Sequence, residues 1–107
     1  MRILLDECVP KRLGKLIPGH GVRTVVQEGW SGKKNGVLLG LMSAAGFEVF
    51  ITVDQGIPYQ QNPKSISIGV IIMIATSNDI ADLMPLLDNL LVTLNTIQPG
   101  DIMRVEI

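Results

Sequence analysis

Three carboxylates stand where short apolar runs stop. Asp6 and Glu7 end the segment "RILLDE", and Asp54 ends "FITVD", so two apolar segments run into the same residue type. Clustered carboxylates are hard oxygen ligands of the kind that hold Mg²⁺ or Mn²⁺. A cation so held activates water and stabilises the charge that develops on a phosphodiester. That chemistry requires Asp6 and Asp54 to meet. Each acid also has a plain structural reading: Glu7 as an anion at the amino end of a following helix, Asp54 as a turn former ahead of Gly56.

The elements that must bring them together are legible as alternating strands and helices. Ile3, Leu4 and Leu5 form an apolar run without polar alternation, the pattern of a central strand covered on both faces. Pro10 opens a helix to Ile17 with Val9, Leu13, Leu16 and Ile17 inward, and Lys11, Arg12 and Lys15 outward. "VRTVVQ" is a second strand, followed by the loop "EGWSGKKNG". A helix from Asn35 carries Val37, Leu38, Leu41, Met42 and Ala45 on one stripe and closes at Gly46. Asn35 can serve as its N-cap.

"EVFITVD" is the third strand, "QGIPYQQNPK" an irregular excursion, and "SIGVIIMIA" the fourth strand. The last helix starts near Asn78 as cap and runs through Ile80, Leu83, Met84, Leu87, Leu90, Leu91 and Leu94, with a break at Pro85. "QPGD" then turns into "IMRVEI", a terminal edge strand. This order predicts an α/β fold, a three-layer α/β/α sandwich around a mostly parallel five-stranded sheet, with residues 1–107 as one domain. If the first and third strands are parallel neighbours, Asp6 and Asp54 emerge at the carboxyl edge, where open α/β sheets place their ligands.

Composition narrows the chemistry. With 47% hydrophobic residues in 107, the chain can build a substantial core. A single cysteine, Cys8, and a single histidine, His20, leave no internal disulfide and no zinc cluster, and Cys8 reads as a small buried hydrophobe. The longest apolar stretches fall well short of the roughly 20 residues of a membrane span, and the amino terminus lacks a signal-peptide layout, so a cytoplasmic protein without a membrane partner is expected. The net charge of −1 hides a division: residues 1–34 hold seven of the nine Lys/Arg against three acids, and residues 35–107 hold two against seven. Lys11, Arg12 and Lys15, with Lys33 and Lys34, therefore offer a basic face to a polyanion, or a solvated surface. Gln55, Gln60 and Gln61 can hydrogen-bond phosphate, sugar or base, or line a polar loop. Trp30 and Tyr59 can stack unpaired bases, or pin their loops to the core.

"RILLDECVPKRL", the "GWSGKKNGVLL" loop with its following helix, and "VFITVDQGI" with "YQQN", in that order, resemble the PIN-like domains of a small bacterial family. The resemblance covers nearly the whole chain. It implies a small α/β fold and a metal-dependent ribonuclease acting on single-stranded RNA, the toxin-like half of a toxin–antitoxin pair with a cognate antitoxin protein. Carried over by position, Asp6 and Asp54 are the Mg²⁺ or Mn²⁺ ligands and Glu7, adjoining the first, assists or orients water; Asn35 would complete the shell as a neutral ligand through its side-chain carbonyl. The chain departs from the family pattern in two places. Asn35 and Gly36 stand where many relatives have an acidic pair, and Gly56 stands where many have a second Asp after the third strand. An incomplete acidic site also fits a catalytically decayed module that binds nucleic acid or protein. A further class, the receiver-like phospho-acceptor domain, shares the paired acids, Asp54 and a hydroxyl residue, Thr76, after the fourth strand. It needs a lysine after the fifth, and the last lysine here is Lys64. Homodimerisation is also open, through the terminal strand or the apolar last helix.

Overall fold

Apolar runs of four or five residues become the strands of one all-parallel sheet: β1 (Arg2–Leu5), β2 (Gly21–Thr24), β3 (Val49–Thr52), β4 (Gly69–Met73) and β5 (Ile102–Val105). The computed structural model describes residues 1–56 and 67–106, so Tyr59, Gln60, Gln61 and the side chain of Asn35 lie outside the described residues. Strand order is β2-β1-β3-β4-β5. β1, β3 and β4 are buried on both faces, as their uninterrupted apolar sequences require, apart from Arg2 at the open end of β1.

The two faces carry separate cores. On one, Ile3, Leu5, Val49, Ile51, Ile71 and Met73 pack against Leu13, Leu83, Leu86, Leu90 and Leu94. On the other, Leu4, Phe50, Val70 and Ile72 pack against Leu38, Leu39 and Met42 of helix α1 (Asn35–Ala44). A three-layer α/β/α sandwich is the result, with the sheet wholly rather than mostly parallel.

Several local expectations shift. Residues 10–17 do not form an α-helix but a 3₁₀ helix, Lys11–Leu16, with Pro10 at its N-cap position. Gly14 sits at its centre because the segment lies directly on β2: a Cβ there would come within 3.0 Å of Val22 Cγ1. The second strand ends at Thr24, because Thr24 and Gln27 exchange side-chain to backbone bonds that turn the chain. α1 buries Leu38, Leu39 and Met42, whereas Val37 is 54% exposed. Lys34, not Asn35, holds the N-cap position of α1. Gly46 follows the helix at φ +83°, the left-handed closing conformation expected of it.

The last helical segment breaks at Pro85 as its sequence demands. Helix α2 (Ile80–Leu83) passes through a 3₁₀ turn (Met84–Leu86) into helix α3 (Leu87–Thr96). The break rephases the apolar stripe, so Leu86 is buried and Met84 is 45% exposed. Asn78 does not cap α2. Asp79 stands at that position, and the Asn78 amide instead donates to the Cys8 carbonyl at 2.8 Å.

Candidate functional site

Parallel pairing of β1 with β3 aligns Leu5 with Ile51, and the ladder continues one step further as the Asp6 N–H donates to the Ile51 carbonyl at 3.0 Å. Asp6 thereby enters the crevice at the carboxyl ends of both strands. In the order 2-1-3-4-5 the chain reverses its winding between β1 and β3, and ligands of doubly wound sheets bind at that switch point.

The Asp6 carboxylate is tied there to the backbone of Asp54 through a residue the sequence reading missed. Thr52, the last residue of β3, is fully buried, and its hydroxyl donates to Asp6 Oδ2 at 2.7 Å while accepting the Asp54 N–H at 3.0 Å. A single threonine inside "VFITV" was the only signal available for it, and threonine is an ordinary strand residue. Asp6 Oδ1 accepts the Glu7 N–H at 2.8 Å. Asp54 Oδ1 accepts the Gly56 N–H at 2.8 Å, so the turn reading of Asp54 is realised in the fold. Both carboxylates are half-buried.

Glu7 does not cap the following 3₁₀ helix. Its Oε1 reaches across to the Gly32 N–H at 2.7 Å and ties the loop after β2 to the end of β1. Trp30 anchors the same loop from the other side, half-buried with its ring edge-on to Phe47 at a centroid distance of 5.9 Å. This realises the pinning role expected of it. The two ties hold Lys33 and Lys34, both exposed, close to the carboxyl edge. Lys11, Arg12 and Lys15 are exposed on the 3₁₀ helix, and among the described residues none of these five cations has an ion-pair partner. Arg23 differs: its guanidinium pairs with Glu28.

Cys8 is half-buried beside the acids rather than enclosed in the core. Its Sγ lies 3.5 Å from Asp6 Oδ2 and 3.7 Å from Thr52 Oγ1. Burial pushes the Cys8 thiol above its ordinary pKa of 9.0 and the Asp6 charge adds to the rise, against hydrogen bonds from Val53 and Thr52 that lower it. The thiol is therefore a proton donor to Asp6 at neutral pH, not a nucleophile.

The arrangement thus unites Asp6, Asp54, Thr52 and Cys8, with Glu7 one residue away. Among the described residues no group of three or more His, Cys, Asp or Glu is placed to hold a metal ion, and no helix is long and apolar enough to cross a membrane. The chemistry of the donor set suits Mg²⁺ nonetheless, since that cation is usually bound through one or two carboxylates with water and substrate phosphate filling the remaining positions. Fold and site define a doubly wound α/β protein with an acidic switch point. No protein-family model, no curated protein and no solved structure matches the chain.

Proposed function

We propose that the chain is a PIN-like, Mg²⁺- or Mn²⁺-dependent ribonuclease of single-stranded RNA, acting in the cytoplasm as the toxin-like half of a pair with a protein antitoxin. One observation carries the reading: the ends of β1 and β3 are tied at one sheet edge, where the Thr52 hydroxyl donates to the Asp6 carboxylate and accepts the backbone N–H of Asp54. Asp6 and Asp54 hold the cation, and Asp6 keeps lone pairs beyond the hydrogen bonds it accepts. The cation, when bound, supplies an activated water and charge stabilisation at the scissile phosphate. Thr52 fixes the Asp6 carboxylate, Glu7 fixes the loop bearing Lys33 and Lys34, and Lys11, Arg12 and Lys15 contact phosphates on either side. The outer edge of β5 and the exposed Val92 of α3 offer surfaces to an antitoxin or to a second copy.

A non-catalytic binding module is the second reading. Its support is that Glu7 accepts a backbone N–H of the loop after β2 and Asp54 one within its own turn, the behaviour of structural acids.

Thermal melts of the wild type and the Asp6→Asn/Asp54→Asn variant, with and without Mn²⁺, separate these readings when run beside cleavage of unstructured RNA. Asparagine keeps an acceptor for Thr52 and for the Gly56 N–H, so the variant retains both local bonds. Free Mn²⁺ at ten times its Kd stabilises a single site by about 1.4 kcal/mol, a rise of roughly 6 °C for a domain near this size. A rise lost in the variant, together with metal-dependent cleavage, supports the nuclease. A rise without cleavage favours the binding module, and no rise in the wild type sinks the metal site.

A further inference from the structure

A groove of about 370 Å³ opens beside the acids, between the end of β1, the start of the 3₁₀ helix and the turn after β2. Ligand pockets span roughly 300–1,000 Å³, so this one has room for one small ring system with its sugar and none for a longer segment. Its lining is divided by chemistry. Val9, Pro10 and Val26 supply apolar surface, and Val26 is 65% exposed. Asp6 and Glu7 form an anionic wall, and Lys11 is the cation of the lining.

Gln27, also in the lining, is held by the turn that ends β2. The Thr24 N–H donates to its Oε1 at 2.9 Å, and its own N–H donates to Thr24 Oγ1 at 3.1 Å. Because an N–H must meet an acceptor, this bond fixes which end of the amide faces Thr24. The group left for a ligand is the Nε2 pair of donors.

We infer that this groove binds one ribonucleoside phosphate, base against Pro10 and Val26, and that Gln27 selects a base presenting a carbonyl. A phosphate is repelled by the acidic wall and attracted by Lys11, while ribose hydroxyls donate to the carboxylates. Uracil and guanine present a carbonyl acceptor to Nε2, whereas adenine presents an amine at the corresponding edge. The ligand class rests on the ribonuclease reading above, and the groove then acts as the specificity pocket next to the acids.

The test is a ¹H–¹⁵N NMR titration of the full chain with 5′-UMP, 5′-AMP and 2′-deoxy-UMP in EDTA. Expected are saturable shifts at Lys11, Val26 and the Gln27 side-chain amide, with UMP about fivefold tighter than AMP, the worth of one net hydrogen bond. The 2′-deoxy nucleotide binds more weakly than UMP. Val26→Asp, a change at an exposed position that adds a charge to the apolar wall, abolishes the shifts. Shifts that are absent, that fall elsewhere, or that survive Val26→Asp overturn the site, and equal affinity for UMP and AMP overturns the role of Gln27. The titration uses neither metal nor cleavage. A Mn²⁺ response without groove shifts thus defeats the groove alone, and groove shifts without a Mn²⁺ response defeat the nuclease alone.

Discussion

The two edges of the sheet treat charge differently. At the amino edge, Arg2 donates to the Ala45 carbonyl that ends α1, lies 4.4 Å over the Phe47 ring, and receives Glu48 on its own N–H, while the Met1 amino group meets His20 Nδ1 at 3.1 Å. Each charge there closes on a fixed partner and welds the helix end to the strand. At the carboxyl edge Asp6 and Glu7 accept hydrogen bonds from N–H, hydroxyl and thiol donors, yet neither forms an ion pair among the described residues, although Lys11 borders the same groove. The amino edge is built for stability. At the carboxyl edge Asp6 and Glu7 keep their charge without a cationic partner among the described residues.

Substitutions that load one edge and spare the other test that division. The largest effect is expected from Phe47→Ala, which removes a 97%-buried ring together with the Arg2 and Trp30 contacts; a loss of about 3–5 kcal/mol in urea unfolding follows from large-to-small core changes. The Mn²⁺ shift in melting temperature should persist in it. Loss of both would mean that the two edges are one cooperative unit and the contrast is empty.

Thr52→Val comes next. Shape is nearly kept, but Asp6 Oδ2 and the Asp54 N–H lose their shared partner, at about 1–3 kcal/mol. Thr52→Ser should recover most of that, because it restores the hydroxyl. A cost below about 0.5 kcal/mol, or no rescue by serine, would show that the bridge does not hold the acids.

The smallest effect concerns Cys8. A thiol whose folded pKa lies above its unfolded value binds more protons folded than unfolded once pH passes the ordinary thiol range. Its contribution is whole below pH 9.0 and is lost as pH rises through the raised value. Urea unfolding from pH 8 upward should therefore show a steeper decline in the wild type than in Cys8→Ser. Equal slopes would remove Cys8 from the electrostatics of the site.

Much of this contrast was readable in advance, for identifiable reasons. β1, β3 and β4 are buried on both faces, and such strands announce themselves as unbroken apolar runs, so the sheet and the placing of Asp6 and Asp54 after neighbouring parallel strands followed from patterning. Thr52 was hidden because its role depends on a neighbour 46 residues away, and the Glu7 tie to Gly32 spans 25. Neither leaves a local trace. The α1 stripe was misphased by including Val37, since the helix presents a broad face to the sheet and adjacent residues Leu38 and Leu39 both reach it. The 3₁₀ form of residues 11–16 depended on how closely Gly14 approaches Val22, a tertiary distance.

The 46-residue gap between Asp6 and Thr52 also sets a clock on synthesis. β1 leaves the ribosome first, yet it lies second in the sheet and cannot pair with β3 until most of α1 and β3 have followed. At translation rates of about 5–20 residues per second, the nascent chain carries its first acid for several seconds before the second can join it. Whatever the assembled crevice does, a partly made chain cannot do it.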